Sequence, residues 1–153
     1  MSRSLDALSS EFKPKVFELL ARLTERGIAV LIVDTLRTPE EHAANLAKGT
    51  SKTSHSKHLP RRLRGVSIEP FDPANLDKSD AIDLCPYLVY QLQGPDKLQW
   101  DANDPAFTAI MEEAEKLDLR SGARWRSPRD PGHVELILTP LDRQLTTTER
   151  HRP

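Results

Sequence analysis

The chain has 153 residues, 29% of them charged, and its charges nearly cancel to a net −1. That length suits one domain around one core, and the balance excludes a broadly basic nucleic-acid surface and a long acidic tail. No apolar run approaches the ~20 residues of a membrane span, and the single cysteine, Cys85, excludes an internal disulfide framework and a multi-cysteine zinc site, so any metal must be held by histidine and carboxylate.

The opening MSRSLDALSSEF lacks the apolar core of a secretory signal, which predicts a soluble protein made in the cytoplasm. The first helix is capped by Ser9 or Ser10. It carries Pro14 near its first turn, repeats Phe12, Val16, Leu19, Leu20 and Leu23 at helical spacing, and stops at Gly27. Residues 28–33 read as a short buried strand. Thr38-Pro39-Glu40-Glu41 has the form of a capping box with proline at the first helical position, and predicts a helix over 39–47. Arg37 then lies at a strand-to-helix junction.

Residues 50–80 show no period, are interrupted by Pro60, Pro70 and Pro73, and read as a long surface loop. Its Arg61, Arg62 and Arg64 read as a solvated basic stretch, with contact to an anionic polymer as the alternative. Residues 81–84 read as a strand. Asp104-Pro105 caps a further helix with Phe107, Ile110, Met111, Ala114 and Leu117 on its inner face. Residues 133–138 read as a last strand, and 141–153 as a polar, frayed tail.

Three places carry side chains of metal-ligand type: Ser56-Lys57-His58, Asp83 inside the apolar stretch 81–84, and the segment from Asp130 through His133 to Glu135. A carboxylate in an apolar strand needs a cation, a metal or strong hydrogen bonds. On its own Asp83 reads equally as a structural ion pair or a ligand. His58 alone reads as a surface loop residue and His133 alone as a satisfied strand histidine. Spacing does not link the three places. His55 is an alternative to His58. His42 falls on the polar face of its helix, and His151 in the tail. Cys85 shares a strand face with Asp83, as a soft ligand or a small buried thiol. Trp100 and Trp125 either wall a cleft or pack in the core.

Taken in order, Ser56-x-His58, Ser79-x-Ala81-x-Asp83 and Asp130-x-x-His133-x-Glu135, preceded by the arginine segment from Asp34 to Glu41, resemble the zinc peptidases of bacterial cell-wall peptides. These are the D-alanyl-D-alanine carboxypeptidases and dipeptidases and the phage L-alanyl-D-glutamate endopeptidases. Two features depart from the family pattern. The usual H-x6-D is opened by 18 residues, so that 24 lie between His58 and Asp83, and Ser79 stands where glycine is usual. The site then requires that residues 59–80 loop out and return.

The resemblance implies an α+β fold, a small, mostly antiparallel sheet with packed helices, as in the hedgehog and DD-peptidase fold. It implies a single zinc peptidase domain over residues 1–140. Zn²⁺ would be held by His58, Asp83 and His133 with one position open, the pattern of catalytic rather than structural zinc. Asp130 matches the general base. Arg37 would stabilise the oxyanion or grip the substrate carbonyl, Ser56 would hydrogen-bond the substrate, and Glu135 would orient a ligand or substrate, or simply face outward. The expected partner is a peptidoglycan stem peptide, with no nucleic acid and no membrane. The first choice of activity is L-alanyl-D-glutamate endopeptidase, acting on the wall after holin-mediated release. D-alanyl-D-alanine carboxypeptidase and a non-catalytic zinc-binding adaptor are the alternatives.

Overall fold

The computed structural model describes residues 2–49, 56–66, 68–88, 97–126 and 129–152. Helix α1 spans Phe12–Glu25. Glu11 stands at its N-cap position in place of the expected Ser9 or Ser10, while the Ser9 hydroxyl accepts from the Phe12 amide at 3.3 Å. At its exit Gly27 takes a left-handed φ of 75° while the Ile28 amide reaches back to the Leu23 carbonyl. Strand β1, Val30–Asp34, leads into α2, Pro39–Lys48, which opens with the full Thr38/Glu41 capping box and closes on a left-handed Gly49. Strand β2 is Ala81–Pro86, α4 is Pro105–Lys116 behind an Asp104 cap, β3 is Leu119–Ser121 and β4 is His133–Leu136. The three residues of β3 are too few to show a readable alternation in the sequence.

The four strands form one antiparallel sheet in the order β1-β2-β4-β3. One face is apolar. Ile82, Leu84, Leu119, Val134 and Leu136 pack there against Phe12, Val16, Leu19 and Leu23 of α1 and Phe107, Ile110 and Ala114 of α4. Alternation then sends Asp83, His133, Glu135 and Arg120 to the opposite face. On β1 the register slips between Ile32 and Asp34, so Ile32 pairs with core-facing Leu84 but Asp34 with Asp83. This irregularity moves Asp34 off the core side that the even alternation of Val30 and Ile32 would give it.

Two expectations for the chain's irregular parts are corrected. Residues 61–80 are not loop throughout: they hold a one-turn helix α3, Arg61–Arg64, and a 3-10 turn over Pro73–Asp77, and of the three arginines only Arg62 stays solvated. Arg61 and Arg64 fold inward onto Asp80, which is fully buried. Arg61 grips both its oxygens at 2.8 and 2.9 Å, Arg64 donates at 2.6 Å and the Ser9 hydroxyl at 2.5 Å. Residues 50–55 and 67 of the predicted loop lie outside the described residues, His55 among them. Residues 140–150 are not frayed either. They form α5, Pro140–Arg150, with its own Thr139/Asp142 capping box and with Thr146 and Glu149 buried. The period of apolar residues was the wrong signal there, because this helix docks through charges. Among the described residues no helix is long and apolar enough to cross a membrane.

Asp80→Asn leaves two buried guanidinium groups short of their counter-charge, and breaking a buried pair costs about 3–5 kcal/mol. Denaturant unfolding is expected to show a loss of that size. Arg62→Ala, which removes only the exposed Arg62–Asp77 pair, is expected to cost less than about 1 kcal/mol.

Candidate metal centre

The residues 59–80 do return. The Asp80 amide donates to the Lys57 carbonyl at 2.9 Å, Arg61 N–H to Lys78 O at 3.0 Å, and Leu136 N–H of β4 to Asp80 O at 2.9 Å. His58 is thereby set beside the β1-β2-β4 row in which Asp34, Asp83 and His133 are register partners. The Ser56 hydroxyl, buried, accepts from the His58 amide at 3.2 Å and the His58 carbonyl accepts from Arg37 N–H at 2.9 Å, so the turn carrying His58 is fixed from both sides. Ser56 therefore shapes this turn in the structure, where the resemblance had implied a substrate contact.

His58 Nε2, Asp83 and His133 offer ligand atoms within 4.8 Å of one another. Asp83 Oδ1 lies 3.1 Å from His58 Nε2 and 3.0 Å from His133 Nδ1. Those spacings are close to the ~3.3 Å edge of a tetrahedron with bonds of ~2.0–2.1 Å, the geometry of zinc with nitrogen and oxygen ligands. Each ring is held from behind. His58 Nδ1 donates to Thr35 O at 2.8 Å, and His133 Nε2 donates to Glu135 Oε1 at 2.9 Å. The remaining nitrogens both face Asp83. Buried His58 Nε2 makes no aligned hydrogen bond, which is the state of a ligand atom presented to an ion. The residues present fit a divalent metal of the zinc type.

Charge is shared closely here. Burial pushes the Asp83 carboxyl up, but the His58 charge and the His133 hydrogen bond outweigh it and hold it well below the usual range. Burial pushes His133 down, yet the bonds to Asp83 and Glu135 push its pKa up to about 10. In the metal-free protein its Nδ1 thus carries a proton toward Asp83, and a metal must displace that proton. Arg37 bridges two strands. Its Nε donates to Asp34 Oδ2 and its Nη2 to Asp83 Oδ2 at 3.2 Å, which separates two like charges paired across the sheet.

Asp130 stands at the mouth. Its Oδ2 is 4.0 Å from His133 Nδ1 and its side chain is half exposed. Its pKa is raised, first by the surrounding protein and then by the Asp83 charge, against lowering from His133. The turn from Asp130 to His133 packs on Gly122, whose carbonyl accepts from Asp130 N–H at 3.0 Å. A Cβ on Gly122 would fall 2.2 Å from the Asp130 carbonyl oxygen, so only glycine fits. A cleft of about 220 Å³ opens beside Asp83 and Asp130, walled by Val33, Ala102 and Phe107 with Trp100 at its rim.

Other sequence expectations divide. Trp125 lies against His133, ring centroids 4.9 Å apart. His42 is buried, not solvated. Cys85 is buried, its sulfur 3.2 Å from the Gln99 carbonyl. Lys57, Arg120 and Asp34, to which the motifs assign no role, all touch the centre or its supports. The signal for Asp34 was its place at the head of the arginine segment. Lys57, between the two motif residues of S-x-H, offered none.

No protein-family model matches the chain. Over 61 residues it is 43% identical to the L-alanyl-D-glutamate peptidase of Listeria phage A118, a match covering 38% of this chain and 22% of that protein. The solved L-Ala D-Glu endopeptidase ChiX of Serratia marcescens has the same fold, with a TM-score of 0.54 at 14% identity over 86% of this chain and 82% of that one. The resemblance read from the motifs and the expected α+β architecture are both met again in these likenesses.

Two outcomes follow from the geometry. Gly122→Ala is expected to destabilise the protein by about 1–3 kcal/mol, the usual cost of overpacking, and a crystal structure should show the Asp130–His133 turn displaced. Because the folded pKa of His133 lies above its ordinary 6.5, its contribution to metal-free stability is complete below 6.5 and is lost as pH rises toward about 10. Urea melts of metal-free protein across that window should show the decline, and His133→Gln should flatten it.

Proposed function

We propose that this protein is a zinc-dependent peptidase of peptidoglycan stem peptides that hydrolyses the L-alanyl-D-glutamate bond. The observation that carries the reading is the convergence of His58 Nε2, Asp83 Oδ1 and His133 Nδ1 beside Asp130. The phage A118 relative and ChiX, both named for that bond, support the choice within the chemistry.

His58, Asp83 and His133 would hold the zinc, which supplies a Lewis acid and acidifies water to a pKa of ~7. Asp130 takes the proton of the attacking water and passes it to the leaving amine. Its raised pKa brings it nearer the working pH than an ordinary carboxylate. Arg37 is held in place by Asp34 and Asp83, which use two of its five N–H donors among the described residues. The others receive the negative charge that develops on the scissile carbonyl oxygen. The apolar walls of the adjoining cleft suit the alanyl methyl. Ser56 acts through the turn that presents His58, and Glu135 through the His133 ring. The substrate places the activity at the cell wall, reached through a holin-type lysis pore.

Purified peptidoglycan provides the test. Wild type is expected to expose new D-glutamate amines, to stop with chelator and to recover with Zn²⁺. Asp130→Asn is expected to lose about 10²–10⁴-fold in rate while retaining its zinc. Free D-alanine as the product would replace this reading with the carboxypeptidase. Release of nothing by the zinc-loaded protein would replace it with the adaptor, and full activity in chelator would remove the metal.

A further inference from the structure

Helix α5 makes an unusual contact with the sheet. Asp142 and Glu149 lie seven residues apart, two turns along, and therefore on one helix face. Each holds one cation. Asp142 Oδ2 is 2.8 Å from Lys57 Nζ, and Glu149 accepts from Arg120 Nε and Nη2 at 2.9 and 2.8 Å. Both cations then turn to the same atom, Glu135 Oε2, Lys57 at 2.7 Å and Arg120 at 3.3 Å. The other oxygen of Glu135 accepts from His133 Nε2. Lys57 also donates to the Leu136 carbonyl at 2.7 Å and to Asp142 Oδ2, which hold its ammonium beside Glu135. Arg120 also stacks 5.0 Å over the Trp125 ring, which lies against His133.

These are not surface pairs of little consequence. The side chains of Lys57, Asp142, Arg120, Glu149 and Glu135 are between 5 and 15% exposed. A buried carboxylate with two cations on one oxygen cannot swing, and the ring it holds cannot turn. If either cation were free to move, Glu135 would keep its charge but not its aim.

We propose that α5 is a positioning element of the metal centre: Asp142 and Glu149 fix Lys57 and Arg120, these fix Glu135, and Glu135 fixes the His133 ring with Nδ1 toward Asp83 and His58. None of the residues on α5 touches a ligand atom. The consequence for metal affinity rests on the zinc reading above, while the consequence for the ring does not.

The test compares full-length wild type, the double variant Asp142→Asn/Glu149→Gln, and Thr139→Ala. The last removes the hydrogen bond that caps α5 at its Asp142 amide without touching either cation. In metal-free protein at neutral pH, the hydrogen-bonded Nε2 proton of His133 is followed by ¹H–¹⁵N NMR. Zn²⁺ affinity is measured by chelator competition. The double variant is expected to lose the Nε2 signal to solvent exchange and to bind Zn²⁺ about 10–100-fold more weakly, the usual effect of removing support behind a ligand. Thr139→Ala is expected to keep both. Should the double variant not fold by circular dichroism, Glu149→Gln alone, which lies outside the cap, carries the same comparison. A folded variant with wild-type signal and affinity overturns the proposal, as does an equal loss in Thr139→Ala. If wild type takes up no Zn²⁺, the peptidase reading fails, and the Nε2 signal still decides whether α5 positions the ring.

Discussion

The closure of residues 59–80 on Asp80 is the constraint from which the rest of this structure follows. Two ligand-type side chains with 24 residues between them share a point in space only if the chain between them leaves and re-enters at one place. Loop-closure entropy rises slowly with length, so the long excursion itself is tolerable. What it needs is a neck. Asp80 supplies one with both its backbone and its side chain. Its amide and carbonyl tie Lys57 to β4, and its carboxylate collects Arg61, Arg64 and Ser9. Burial alone pushes this carboxyl up, but the arginines hold it below its ordinary value, so the charge stays in place. Two of the three arginines that made the segment look like a solvated basic loop, Arg61 and Arg64, are the residues that close it.

The same logic orders the site face of the sheet. Asp34, Asp83, Glu135, Asp142 and Glu149 bring five carboxylates to one side of a small domain, where unpaired charges are costly. Cations alternate with them: Arg37 between Asp34 and Asp83, His133 between Asp83 and Glu135, Lys57 between Glu135 and Asp142, and Arg120 between Glu135 and Glu149. Every cation is shared by two acids. The pattern leaves one position differently served, the space between His58 Nε2, Asp83 Oδ1 and His133 Nδ1. There the His133 Nδ1 proton points at Asp83, and it is the proton that a divalent ion would displace.

How far this was legible varies by element for physical reasons. Helices α1 and α4 announce themselves through an apolar stripe, and α2 and α4 through a cap followed by proline at the first helical position, all of which are local. The order of the motifs pointed to His58, Asp83, His133 and Asp130 as a set, although spacing alone did not. The bulge that turns Asp34 toward Asp83 depends on pairing between distant strands, and no window of sequence contains it. Gly122 was unreadable for a related reason, since the atom that excludes a side chain there belongs to Asp130. Lys57 looked like an ordinary surface lysine because its partners Glu135, Leu136 and Asp142 lie 78 or more residues further along the chain.

The misreading of residues 141–153 has the most general cause. A helix is normally recognised by the apolar stripe with which it covers an apolar surface. The sheet here has one apolar face, taken by α1 and α4, and one charged face that holds the centre. A helix that covers a charged face must itself present charge, and its sequence then looks like a tail. Exposed pairs would give such a helix little reason to stay. Asp142 and Glu149 meet cations that are already buried, so leaving would strand Lys57 and Arg120 beside a single carboxylate. The polarity that hid α5 in the sequence is therefore the property that docks it.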